Sequence, residues 1–183
     1  MPLFNGVSIR ATAQCAPIVR WEQEACNGNV HVVDRVLMPS TGHITQWLAS
    51  NRSFSIMTQL LKRTKLAELL ASEGPFTVLA APDVAFYQMP EEQLSEMTRY
   101  SERAEEVLRH LIIPEQVCCT GFRGDWFTSN RKRTIDGQWI NLQRHLDGHL
   151  TVGDAQVLTC DNLASNGVVH VVDKVCRVSS SYT

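Results

Sequence analysis

Asn166-Gly167-Val168-Val169-His170-Val171-Val172-Asp173-Lys174-Val175 repeats an earlier stretch, Asn27-Gly28-Asn29-Val30-His31-Val32-Val33-Asp34-Arg35-Val36. Eight of the ten positions are identical, at an offset of 139 residues. Agreement of that length is not a chance event in so short a chain, and the period is about one domain long. The second copy is apolar on consecutive positions, which suits a strand buried on both faces. If each copy closes a unit, residues 38–177 form a complete domain and residues 1–37 the C-terminal remnant of a preceding one. Residues 178–183 are then a polar tail. On that expectation Met1 is not the start of the parent protein. The lack of a basic and an apolar leader region in Met1-Pro2-Leu3-Phe4-Asn5 therefore carries no weight.

Between the copies the chain divides into a helical half and a strand half. Ile44, Trp47 and Leu48 have helical spacing, as do Phe54, Met57, Leu60 and Leu61. Thr64 is a candidate N-cap for a helix over 65–71. Gly74-Pro75 breaks the pattern ahead of an apolar strand over 76–80. Helical spacing returns over 91–99 and again over 102–113, where Pro114 is expected to end it. Asp136-Gly137 and Asp147-Gly148 are hairpin-turn dipeptides flanked by strands over 138–142 and 149–152. Strands over 155–160 and 168–175 complete the set. Helices first and antiparallel strands later predict an α+β domain.

Composition excludes some classes. In 183 residues Lys+Arg is 17 against Asp+Glu 19, so the net charge is −2, and a nucleic-acid binder's basic footprint is missing. No run approaches the ~20 apolar residues of a membrane span. The six cysteines, Cys15, Cys26, Cys118, Cys119, Cys160 and Cys176, lack C-x-x-C and every zinc-finger spacing. They read as extracellular disulfides, with reduced buried thiols as the alternative. Asn51-Arg52-Ser53 is a glycosylation sequon and points the same way.

The repeated Asn-Gly-x-Val-His-Val-Val-Asp-x-Val resembles the C-terminal signature of the fasciclin-like domain of extracellular adhesion proteins. Thr77-Val78-Leu79-Ala80-Ala81-Pro82-Asp83-Val84-Ala85-Phe86 resembles its N-terminal signature, with Ala81 inserted before the proline. Leu108-Arg109-His110-Leu111-Ile112 is similar to the Tyr-His region between them, with Arg109 where tyrosine often stands. Together the matches span about 140 residues in the expected order. The resemblance implies a wedge-shaped antiparallel β-sandwich with a helical bundle, no catalysis and no cofactor. It also implies secretion to the matrix or cell surface and adjacent fasciclin-like domains. Cys15-Ala16-Pro17-Ile18 is similar to an inter-domain junction of tandem members. That likeness implies a bridge from Cys15 to Cys118 or Cys119.

Several segments are candidates for binding. Arg123-Gly124-Asp125 puts a cation and a carboxylate at the ends of a tight turn, the pattern integrin-type receptors read through a divalent metal. The three residues are expected in an exposed loop. His110, with Leu111, Ile112 and Ile113, overlaps the family's integrin-binding segment, with a buried hydrogen-bonded histidine as the alternative. Asp161-Asn162-Leu163 sits where relatives carry a cell-binding segment, or else is a loop between strands. Arg131, Lys132 and Arg133, near Arg123, form the only basic cluster and could hold a glycosaminoglycan; a solvated loop is the alternative. His31, Asp34, His170 and Asp173 lie in strand runs expected to be buried, which suits structural hydrogen bonds better than acid–base chemistry. His145 and His149 flank a hairpin turn, so no metal is assigned to them. Cys119 as a nucleophile beside His110 lacks an orienting partner. The reading is a non-catalytic adhesion or matrix-interaction module. The alternatives are a glycosaminoglycan-binding or scavenger-receptor module and a structural spacer in a tandem array.

Overall fold

The computed structural model describes residues 11–40, 42–122 and 130–176, with the backbone of two short strands, β1 (Leu3–Phe4) and β2 (Val7–Ser8). Arg123-Gly124-Asp125 and the tail after Cys176 lie outside the described residues. An N-terminal ribbon of β3 (Thr12–Ala13), β4 (Ala16–Ala25) and β5 (Gly28–Val33) is antiparallel throughout. Helices α1 (Ile44–Ser50), α2 (Ser55–Arg63) and α3 (Leu66–Ala71) lead into β6 (Phe76–Ala80). Next come α4 (Asp83–Tyr87), α5 (Glu91–Arg99), α6 (Ser101–His110) and β7 (Ile112–Ile113). The strand half comprises β8 (Arg131–Arg133), β9 (Trp139–Arg144), β10 (Leu150–Val152), β11 (Ala155–Ala164) and β12 (Gly167–Val172).

Among the described residues β6 to β12 pair in the order β7-β6-β12-β11-β10-β9-β8. The class is α+β, with one departure from antiparallel pairing: β12 runs parallel to β6, Val169 opposite Val78. This is why both strands are apolar on consecutive positions. All five residues of β6 are buried, whereas β9 alternates, with only Ile140 and Leu142 inward. The helices bury Leu48, Met57, Leu60, Leu70, Ala104 and Leu108 against this sheet and one another. Each large side chain so buried contributes about 1.5–3 kcal/mol.

Some local expectations change. Thr64 closes α2 rather than opening α3: its Oγ1 donates back to the Leu61 carbonyl at 3.1 Å. The last long helix stops at His110 rather than Ile113, because Ile112 and Ile113 pair with Val78 and Thr77 of β6. Sheet pairing there overrides helical spacing, and Pro114 follows a strand instead of ending a helix. Arg131–Arg133 is an edge strand, not a solvated loop.

Candidate functional site

The segment from Glu115 to Phe122 precedes Arg123-Gly124-Asp125, and side chains from several strands hold it. Thr77 Oγ1 donates to the Glu115 carbonyl at 2.7 Å and accepts from the Val117 amide at 2.8 Å. His170, fully buried on β12, donates from Nε2 to the Val117 carbonyl at 2.8 Å. Asp161 Oδ1 accepts from the Cys119 amide at 2.9 Å. Arg144 of β9 donates to the Cys119 carbonyl at 2.9 Å and the Phe122 carbonyl at 3.3 Å. Cys118 is bridged to Cys15 and Cys119 to Cys160. On the far side, the Asn130 carbonyl accepts from the Leu142 amide at 2.8 Å. Residues 115–122 ahead of the tripeptide, and Asn130 on its far side, are therefore fastened to the fold, as buried backbone groups require.

His170 keeps one tautomer. Its Nδ1 accepts from the Asp161 amide at 3.1 Å, which leaves the proton on Nε2 for Val117. Burial pushes its pKa below the ordinary 6.5, against the opposing pull of the Val117 carbonyl and the Asp161 charge. With both ring nitrogens engaged by backbone groups, the histidine ties β12 to β11 and to the Val117 segment. Asp161 is half-buried at a bulge inside β11, with positive φ of 56°, rather than in a loop between strands.

His110 is also buried, 3% exposed, with Nδ1 2.9 Å from Asp136 Oδ2. Burial would raise the Asp136 carboxyl. Hydrogen bonds from Thr134, the Gln138 amide and His110 outweigh that and hold it below 3.8. The alternative reading of His110, a hydrogen-bonded core histidine, describes its place in the fold. Asn51 is exposed, its Oδ1 accepting from the Ser53 amide at 3.0 Å.

The basic triplet does not form one patch. Arg131 and Arg133 lie opposite the exposed Asn141 and Trp139, whereas Lys132 lies opposite buried Ile140 and pairs with Glu115 at 2.7 Å. Strand alternation places the lysine on the other face. His31 is exposed, against the expectation of a buried strand, while Asp34 and Asp173 make local contacts to Arg35 and the Gln156 amide. His145 and His149 stack at 4.2 Å across the hairpin turn.

The cysteines resolve into two bridges and two thiols, exposed Cys26 and buried Cys176. Burial, with nearby Asp154 and Asp173, pushes the Cys176 thiol up to about 12, so it is inert. Cys119, Cys160 and His170 converge, as do Cys15, Cys118 and Asp161. Bridged sulfurs are not thiolate ligands, so this donor set does not suit a cation. No helix among the described residues is long and apolar enough to cross a membrane.

Arg144 carries no signal in the sequence, and Thr77 and Asp136, which stand there as a signature residue and a turn residue, give no sign of the bonds they make in these networks. A lone arginine in an alternating strand carries no signal of the carbonyls it will meet.

A fasciclin domain profile matches residues 52–177. The chain belongs to the fasciclin domain family. Transforming growth factor-beta-induced protein ig-h3 of Sus scrofa is 26% identical over 98% of this fasciclin chain and 25% of its own length. Human periostin is 28% identical over 93% of the chain and 20% of its length. A protein of Synechocystis sp. is 28% identical over 79% of the chain and 78% of its own length. The chain thus spans a quarter or less of the two vertebrate relatives. The fold is also that of a FAS1 domain pair from the insect cell adhesion molecule Fasciclin I. That match has a TM-score of 0.69 and 16% identity, over 89% of this chain and 60% of that one.

Proposed function

We propose that this fasciclin chain is an extracellular adhesion or matrix-interaction module. It binds protein partners of the integrin-receptor or matrix kind through surface segments and performs no chemistry. The observation that carries the reading is the fastening of the segment ahead of Arg123-Gly124-Asp125 by Thr77, His170, Asp161, Arg144 and two bridges, with Asn130 beyond it held by the Leu142 amide. A short recognition tripeptide gains affinity when its ends are fixed in advance, because less chain entropy is lost on binding. The fold shared with an insect cell adhesion molecule supports it. So do the bridges and the exposed sequon asparagine, which suit a secreted, oxidising location. In this reading Asp161 positions the segment from within, His110 is held by Asp136 in the core, and neither touches the receptor.

The test is cell attachment to the immobilised 183-residue chain. Asp125→Glu, which displaces the carboxylate by one methylene, and chelation of divalent cations should each abolish attachment. Undiminished attachment of the Asp125→Glu chain would overturn the tripeptide's role. A second reading, binding of a sulfated glycosaminoglycan, is favoured by Arg131 and Arg133 sharing one exposed sheet face. It requires retention on immobilised heparin that falls steeply with salt. A chain that shows neither behaviour is a spacer.

A further inference from the structure

The outward face of β8, β9 and β10 carries side chains that neither the core nor the segment ahead of the tripeptide uses. Alternation along β9 sends Ile140 and Leu142 into the core and Trp139, Asn141 and Gln143 out to solvent. Pairing with β8 sets Arg133 beside Trp139 and Arg131 beside Asn141. Through Thr151 of β10, which pairs with both Gln143 and Gln156, the face continues to exposed Gln156 of β11. Neighbouring strands lie about 4.8 Å apart and alternate residues of a strand about 6.8 Å apart. The two arginines, the indole and Asn141 therefore form one compact array on a flat surface.

The array is unengaged. Trp139 is 60% exposed, which forgoes the burial a large aromatic ring usually gains. Among the described residues the carboxamides of Asn141, Gln143 and Gln156 find no hydrogen-bond partner and Arg131 makes no ion pair. Arg133 is steadied by its Nε, which donates to the Gly137 carbonyl at 3.1 Å, and no described carboxylate pairs with it. No Asp or Glu stands on β8, β9 or β10. The acids of the adjoining turns are taken: Asp136 by Thr134 and His110, Asp147 by His149, and Asp154 by Lys174. A chain of net charge −2 thus presents, among its described residues, a face with two arginines and no acid.

We propose that this face is a sugar-binding platform centred on Trp139, and that its occupant is a sulfated glycosaminoglycan chain. A sugar ring lies with its C–H face on the indole, its hydroxyls reach the Asn141 and Gln143 carboxamides, and its sulfate or carboxylate groups take the guanidinium forks of Arg131 and Arg133. Charge selects a polyanion. The exposed indole among carboxamides selects sugar, because a pyranose offers one apolar face and a rim of hydroxyls where an acidic peptide offers a carboxylate alone. The inference rests on the glycosaminoglycan reading of Arg131 and Arg133 and adds to it the residues that recognise the sugar itself. It is independent of the tripeptide.

The test is binding of a heparin-derived oligosaccharide to the immobilised 183-residue chain over a series of salt concentrations. Arg131→Ala and Arg133→Ala should each flatten the slope of log affinity against log salt by about 1, because each removes one anion contact. Trp139→Ala should weaken binding about 10-fold at every salt concentration and leave the slope unchanged, since ring stacking releases no counterions. Trp139→Phe should keep most of the affinity and lose the change in tryptophan fluorescence that the oligosaccharide produces in the parent. Poly(vinyl sulfate), which has the charge without the sugar ring, should bind with the same arginine dependence and be indifferent to Trp139→Ala. All these positions are exposed, so melting temperatures should stay within about 2 °C of the parent. Oligosaccharide affinity that survives Trp139→Ala would overturn the proposal and leave a plain electrostatic patch. A parent chain that binds no oligosaccharide at low salt would refute it together with the glycosaminoglycan reading. Cell attachment that falls in Trp139→Ala with no saccharide bound would assign the face to a protein partner, and the proposal would fail on that result too.

Discussion

Replacing Asn166 by alanine should be among the most costly single changes in the fold. The side chain is 6% exposed and makes three hydrogen bonds. Oδ1 accepts from the Ile44 amide at the start of α1, and Nδ2 donates to the Leu70 and Ser72 carbonyls at the end of α3. Ile44 and Leu70 are fully buried, so alanine leaves one amide and one carbonyl without a partner and out of reach of water. Ser72 is exposed, and its carbonyl can turn to solvent. Two orphaned groups at about 1–3 kcal/mol each give roughly 2–6 kcal/mol, with about 4 as the centre. In a chain of this size that lowers the melting temperature by on the order of 10 °C. Asn166→Asp should cost at least as much: it keeps the acceptor for Ile44 but turns a carboxylate oxygen toward two carbonyls. Urea unfolding of the oxidised chain, read as a shift in midpoint at constant slope, measures both. Asn27→Ala is the matched control and should leave the midpoint in place. A loss below about 1 kcal/mol for Asn166→Ala would refute the view that this amide joins helices to sheet.

Below pH 6.5 the chain should lose stability through His170. Its pKa is lowered by burial, so the unfolded chain takes up a proton that the folded one resists; the stabilisation is complete above pH 6.5 and declines as pH falls from there. A His170→Gln chain should show a flatter stability profile between pH 7 and 5 in denaturant titrations. Changing Cys119 and Cys160 together to serine opens a loop closed across 41 residues and should cost roughly 4 kcal/mol, measured against the oxidised parent. Lys132→Ala should not reduce any heparin retention that Arg131→Ala and Arg133→Ala do reduce, because the lysine lies on the opposite face, paired with Glu115. A chain beginning at Met38 should fold, since among the described residues the buried apolar ones, apart from Cys15 and Ala16, lie at or after Ile44; a molten near-ultraviolet spectrum would move the domain boundary.

Much of the fold was legible because its signals are local. Apolar spacing marks α2 and α5, Asp-Gly dipeptides mark the turns of the strand half, and a continuous apolar run marks β6 as buried. The errors fall where a distant partner overrules a local preference. Ile112 and Ile113 continue the helical spacing of α6, yet the edge of β6 takes them as strand. Asp161 reads as a loop residue, yet the Cys119 amide and the bulge in β11 hold it within the sheet.

The repeated decapeptide separates the two levels. By itself, Asn-Gly-x-Val-His-Val-Val-Asp makes the same hairpin strand twice, with the same bulge and the same histidine acceptor, because turn chemistry and antiparallel register act over a few residues. Whether those valines are dry, and whether the asparagine joins two helices, is not written in the ten residues. Tertiary structure decides it by bringing β6, α1 and α3 to one copy and leaving the other open. Hydrophobic burial needs a second surface, and that surface comes from residues far away in the chain.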